Sequence, residues 1–205
     1  MDVPFETFPC LTAVPGIRHF FTGRTTEDTK ADGFQDRALS ALGFDPSHAA
    51  WAEQPHGNIV TLVDRPGYSP GADGLVTQMV GLSLVVRCAD CAAVYVVDRR
   101  VRAIGLAHSG KRGTQANIAG NLMTAMRSAF GSMPADCVAL ISPCIGPCHY
   151  EMDIAGEIER QLRVAGVVDV HNPRTCTACH LDRYFSYRAE KGQTGRMYAV
   201  LSVDH

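Results

Sequence analysis

Three short apolar runs lie close together in the middle of the chain: residues 82–87 (LSLVVR), 92–97 (AAVYVV) and 101–107 (VRAIGLA). They are rich in β-branched residues and too short for helices, so they predict strands. Further strand-like segments are 17–22 (IRHFFT), 58–63 (NIVTLV), 137–142 (CVALIS) and 197–203 (MYAVLSV). Helical spacing marks 33–43 (GFQDRALSALG), and also 114–130, where Ile118, Leu122, Met126 and Ala129 repeat and Thr114 is placed to cap the start. Asp153 opens a further helix that runs to Val164. Neighbouring strands with helices set apart predict an α+β fold of packed mixed or antiparallel sheets flanked by helices.

Composition narrows the class. With 205 residues and no linker, repeat or low-complexity tract, a single domain over 1–205 is expected. Hydrophobic residues are 46% and charged residues 20%, which excludes a disordered chain. Nineteen basic and 21 acidic residues give a net charge of −2, too little positive charge for general nucleic-acid binding. No apolar run approaches the ~18 residues of a membrane span. The first segment, MDVPFETFPC, lacks the basic-then-apolar pattern of a signal peptide, so a cytoplasmic location is expected. Eight cysteines fall below the density of a disulfide scaffold, which points to reduced thiols used for metal binding, catalysis or packing.

The strongest chemical signal lies around the central runs. A tight hairpin turn at Arg99-Arg100 pairs Asp98 with Val101 and, counting outward in step, Cys91 with His108. Residues paired in this way have Cβ atoms about 4.5–5.5 Å apart, a gap that one metal ion bridges. His56, between Pro55 and Gly57 at the start of a strand, is the best third ligand. Two imidazoles and a thiolate leave a position open for water or substrate, as in catalytic zinc sites. After His108, Ser109, Lys111 and Arg112 lead into the helix, with Gly110 and Gly113 letting the backbone curl. This forms a candidate oxyanion or phosphate cradle. The plainer alternatives are packing roles for Cys91 and His108, and a solvated basic turn for Lys111-Arg112.

RCADCAAV, AHSGKRGT, SPCIGPCHYEM and CTACHLDRYFSYRAEKGQTGR occur in that order. From about Ile17 onward the chain resembles the laccase-domain purine nucleoside phosphorylase family. That family was formerly called multicopper polyphenol oxidoreductase, and its fold has been described as that of a cysteine hydrolase. The resemblance implies Zn2+ held by His56, Cys91 and His108. It also implies phosphorolysis of adenosine- and inosine-type nucleosides, adenosine deamination, and a link to peptidoglycan-precursor editing. Purine nucleosides and phosphate are the expected partners, with no nucleic acid or membrane, and a monomer or weak homodimer is expected. Three departures stand out: Lys111 replaces a usual Trp, Cys88 often has no cysteine counterpart, and the stretch after FFTGR is short.

For proton transfer Asp90 is the first candidate and Asp73 the second. Ser109, Arg112 and Arg24 are candidate substrate ligands, and Cys144 is a candidate pocket residue. Arg188 and Arg196 read as ties for the C-terminal segment. Cys144, Cys148 and the Cys176/Cys179 pair, together with Cys88 and Cys91, raise the idea of a structural zinc site. The gap from Cys91 to Cys176 exceeds the ~15–20 residues of a compact zinc ribbon, so packing or loop roles are preferred. Three other functions remain open: a copper-dependent polyphenol oxidase, a hydrolase with Cys91 as nucleophile and His108 as base, and a non-enzymatic module stapled by its metal.

Overall fold

The structure, a computed structural model, describes residues 3–204. Two six-stranded mixed sheets carry the architecture. The strands are β1 (Phe5–Glu6), β2 (Ile17–Thr22), β3 (Ala49–Ala52), β4 (Val60–Leu62), β5 (Gly67–Ser69), β6 (Gly74–Thr77), β7 (Ser83–Cys88), β8 (Ala92–Asp98), β9 (Ile104–Ser109), β10 (Cys137–Ile141), β11 (Asp169–His171) and β12 (Met197–Val203). One sheet has the order β1-β2-β12-β7-β3-β5 and the other β11-β10-β8-β9-β6-β4. The helices are α1 (Pro9–Thr12), α2 (Phe34–Ala41), α3 (Lys111–Gln115), α4 (Ile118–Phe130) and α5 (Ile154–Val164). The expected α+β class is therefore what the chain adopts.

Strand alternation sorts side chains into layers. On β8, Ala93, Tyr95 and Val97 enter the core between the sheets, where they meet Phe21, Leu84, Val86 and Leu201 of the opposite sheet. Ala92, Val94 and Val96 face the other way, onto Ile118, Leu122 and Met126 of α4 and Ile158 and Leu162 of α5. The outer face of the first sheet, through Phe20, Val85 and Val200, packs on Phe34 and Leu39 of α2. Both sheets are thus covered on both faces. This explains why the central strands read as unbroken apolar runs and not as alternating ones. Tyr95, fully buried, crosses between sheets and donates its hydroxyl to the Phe20 carbonyl at 2.9 Å. Gly105 lets α4 pack closely on β9, since a Cβ there would lie 3.0 Å from both Leu122 and Met126.

Two local expectations need correction. The predicted helix over 114–130 is two helices, α3 and α4, because Asn117 takes a left-handed conformation (φ 63°) between them. Thr114 sits inside α3 and caps nothing; its hydroxyl donates to the Gly110 carbonyl at 2.8 Å. The β8–β9 turn is also longer than two residues. Asp98 faces Ala103, its carboxylate accepts the amides of Arg100 and Val101, and Arg102 is left-handed (φ 56°). His108 therefore pairs with Ala93 and not with Cys91. A slip of one residue would have turned the side chain to the other face. A slip of two keeps the face, so Cys91 and His108 remain diagonal neighbours.

Candidate metal centre

The site forms where β8 and β9 emerge at one end of the inter-sheet core. The ligand-capable atoms of His56, Cys91 and His108 all lie within 4.8 Å of one another, with Cys91 and His108 as diagonal and not direct strand neighbours. His108 is buried, Cys91 is half-buried and His56 is exposed. The two imidazole rings meet edge to face, with centroids 4.8 Å apart.

Asp73 organises the group. It is completely buried, immediately before β6 and directly across from His108, whose amide donates to the Asp73 carbonyl at 2.7 Å. Its Oδ1 bonds Nδ1 of His108 at 2.9 Å and also accepts the His56 amide at 3.0 Å. Its Oδ2 accepts the Gly57 amide at 2.5 Å. One carboxylate thus fixes the His108 ring, leaves Nε2 free to ligate, and draws in the loop that carries His56. Carboxylate–histidine pairs of this kind support metal ligands in many proteins. His56 itself is held in the left-handed region (φ 67°).

Two glycines give the site its room. A Cβ on Gly110 would lie 2.7 Å from the Cys91 sulfur and 3.2 Å from the His56 ring, and one on Gly113 would lie 2.7 Å from the Gly57 carbonyl. Gly110 does not have a positive φ (−93°), so it serves close approach and not the backbone curl expected above.

The electrostatics suit a cation. Burial pushes the Cys91 thiol up, but hydrogen bonds and charge interactions with His108 and His56 more than reverse this and bring it down to about 6. For His108, burial works against the charged form. Its bonds to Asp73 and Cys91 outweigh that effect and raise it to about 9. Burial also raises Asp73, while the bonds from His108 and the Gly57 amide lower it further, so it stays below the ordinary carboxylate range. The same contacts thus favour the thiolate of Cys91, the carboxylate of Asp73 and the charged form of His108. One sulfur and two nitrogens, converging and backed by a carboxylate, match the donor set of a catalytic zinc site.

The centre opens into a cleft of about 1440 Å³, reached by Asp90, Cys91, Arg112 and His108. Trp51, Tyr150 and Tyr187 supply aromatic surface, while Lys111, Arg188 and Arg196 add positive charge. Lys111 pairs with Glu151 at 2.8 Å, and the Arg188 guanidinium stacks over Tyr150 at 4.8 Å. Arg112 holds the Pro55 carbonyl at 3.0 Å, next to His56. The short segment after FFTGR borders the cleft through Lys30 and Asp32. Thr29 ties that segment to the residue preceding β12 by accepting the Arg196 amide at 2.6 Å.

The remaining candidates differ in position. Asp90 borders the cleft, but its Oδ1 accepts from Thr177 at 2.7 Å and its Oδ2 from the Arg188 amide at 2.8 Å. Ser109 is buried on the opposite face of β9, bonded to the Thr114 hydroxyl at 2.8 Å. Arg24 does not border the cleft: it pairs with Glu190 at 2.8 Å and stacks over Phe185. Cys144 is buried behind the wall, where burial pushes its thiol far up. Conversely, Arg188 and Arg196, expected only to tie down the C-terminal segment, border the cleft.

This double-sheet α+β fold carries, at the end of its core, a Cys/His cluster able to hold a metal ion. A family profile described as multi-copper polyphenol oxidoreductase laccase matches residues 17–157 and 151–204, and the chain belongs to that family. Purine nucleoside phosphorylase ORF3 of Streptomyces griseus is 32% identical, over 89% of this chain and 85% of its own. Purine nucleoside phosphorylase YlmD of Geobacillus stearothermophilus is 30% identical, over 85% of this chain and 80% of its own. The crystal structure of YlmD superposes on all of both chains with a TM-score of 0.90, at 23% identity. Among the described residues no helix is long and apolar enough to cross a membrane.

Proposed function

We propose that this chain is a zinc-dependent purine nucleoside enzyme. Its reaction would be phosphorolysis of adenosine- and inosine-type nucleosides, with adenosine deamination at the same site. The observation that carries this reading is the converging His56, Cys91 and His108 set, braced by Asp73, at the floor of a cationic and aromatic cleft. Relatives named purine nucleoside phosphorylases support the substrate class. The reducing conditions that its free thiols require favour a cytoplasmic enzyme, acting as a single domain and as a monomer or weak homodimer.

In phosphorolysis, phosphate forms a bond to the anomeric carbon, the glycosidic bond breaks, and its electron pair leaves with the base, which takes up a proton. In deamination, water replaces the amine and ammonia leaves. When bound, zinc supplies Lewis-acid polarisation and lowers the pKa of water. The chain's own groups do the rest. Asp73 keeps a proton on Nδ1 of His108. Arg112, Arg188 and Arg196 offer guanidinium groups for phosphate, a geometry suited to paired oxygens. Trp51 and Tyr150 offer faces for a purine ring. Asp90 holds the cleft wall through Thr177 and the Arg188 amide, beside the reacting centre.

Incubating zinc-loaded protein with adenosine and phosphate should yield equal amounts of adenine and ribose 1-phosphate. Inosine and ammonia would report the deaminase route. If no purine product forms at all, this function is wrong. One observation favours a second reading, a cysteine hydrolase acting on peptidoglycan precursors: the Cys91 thiol, lowered to about 6, lies beside two imidazoles. Cys91→His separates the two, because retained metal and turnover rule out a nucleophilic sulfur.

A further inference from the structure

A second group of metal-ligating side chains lies on the far side of the cleft wall. Cys148 and His149 come from the loop after β10, and Cys176 and Cys179 from the segment before β12. Their ligand-capable atoms all lie within 4.8 Å of one another. The Cys148 and Cys179 sulfurs are 3.5 Å apart, too far for a disulfide, whose sulfurs sit about 2.05 Å apart. Nδ1 of His149 lies 3.3 Å from Cys148, 3.6 Å from Cys179 and 3.8 Å from Cys176. A tetrahedral zinc with bonds of about 2.3 Å to sulfur and 2.0–2.1 Å to nitrogen places sulfurs about 3.8 Å apart and sulfur and nitrogen about 3.5–3.6 Å apart. The three sulfur–nitrogen distances bracket the tetrahedral value, and the Cys148–Cys179 sulfur distance of 3.5 Å needs to open by about 0.3 Å to reach it.

The surroundings fit as well. The Gly146 amide donates to the Cys176 sulfur at 3.2 Å, which leaves that sulfur's partial charge compensated from the loop side. A Cβ on Gly146 would lie 3.2 Å from Cys176 Cβ and 3.4 Å from the Cys148 sulfur, so the loop packs closely on the cluster there. Cys144 and Cys176 also join their two segments by a backbone bridge.

We propose that Cys148, His149, Cys176 and Cys179 bind one structural zinc ion, separate from the centre at His56, Cys91 and His108. Four protein ligands leave no open position, as in structural zinc sites. Binding displaces the thiol protons and leaves three thiolates and a neutral imidazole on the ion, a net charge of about −1. The ion clamps the loop carrying Tyr150 and Glu151 to the segment carrying Tyr187 and Arg188. The same two segments hold Asp90, through the Ile145 amide on its carbonyl and Thr177 on its carboxylate. The clamp thus stiffens one wall of the cleft without taking part in its chemistry.

The test is metal stoichiometry of the full chain purified under reducing conditions and supplied with zinc alone. Wild type should hold two ions per chain, and C91S and the C148S/C179S double variant one each. With cobalt in place of zinc, C91S should show roughly threefold stronger thiolate-to-metal charge-transfer absorption than C148S/C179S, since it retains three thiolate ligands against one. If the double variant does not fold, C91S decides alone: one ion with the thiolate-rich spectrum supports the site. A single ion in wild type with none in C91S overturns it. Neither readout depends on nucleoside turnover.

Discussion

Replacing Asp73 by Asn tests whether this carboxylate organises the metal centre. Its two oxygens meet three donors: His108 Nδ1 at 2.9 Å, the His56 amide at 3.0 Å and the Gly57 amide at 2.5 Å. An amide must put its NH2 in place of one oxygen. Its least costly orientation keeps oxygen towards His108 and His56 and sets NH2 against the Gly57 N–H, leaving a buried donor unpaired at about 1–3 kcal/mol. The two remaining bonds lose their ionic character, so we expect D73N to be less stable by about 2–4 kcal/mol. Metal affinity should fall about 10–100-fold, because the His108 ring is less firmly oriented and less basic. Urea unfolding of the metal-free proteins measures the first quantity, and competition with a chromophoric chelator measures the second. If D73N is destabilised but binds zinc within twofold of wild type, Asp73 is a brace for the fold, and the orientation of His108 does not depend on it.

Gly110→Ala should lose metal affinity at least tenfold and cost about 1–3 kcal/mol, because its Cβ lies 2.7 Å from the Cys91 sulfur. Chelator competition on the folded variant checks this, and unchanged affinity would refute it. Zinc affinity of the His56–Cys91–His108 centre should climb as pH rises from about 6 to about 9. Cys91 is lowered to about 6 and ionises early, while His108, raised to about 9, must give up its extra proton to ligate. A flat titration over that range would contradict the assignment. His19 is lowered to about 4 by burial, and its Nε2 accepts the Phe8 amide at 2.8 Å. A histidine kept neutral in the fold gives stability that is full above about 6.5 and lost as pH falls through about 4, up to about 3 kcal/mol. Urea unfolding of H19Q should show a shallower decline over that window than wild type.

The central strands and the ends of α5 were readable because their signals are local. Apolar β-branched runs mark β7, β8 and β9, and Asp153 caps α5 by accepting the Gly156 amide at 2.9 Å. The short strands β3, β5, β6 and β11 carry no comparable pattern; they form because neighbouring strands supply their hydrogen bonds. The Cys91–His108 neighbourhood emerged from the sequence although the turn was longer than assumed, since a two-residue shift preserves the strand face. Ser109 illustrates the reverse. It adjoins His108 in sequence, yet alternation sends it to the buried side of β9.

Residue types and strand periodicity determined the α+β class, ordered motifs such as RCADCAAV and AHSGKRGT carried the family, and together they pointed to His56, Cys91 and His108 as a candidate ligand set. Tertiary structure decided which charged groups face the cleft, turning Arg188 and Arg196 towards it while Arg24 pairs with Glu190. It also assembled Cys148 and His149 with Cys176 and Cys179, across a stretch that contains the whole of α5. Periodicity is written between residues a few positions apart. Loops from distant parts of the chain meet only after the sheets have packed, so no local pattern records their contact.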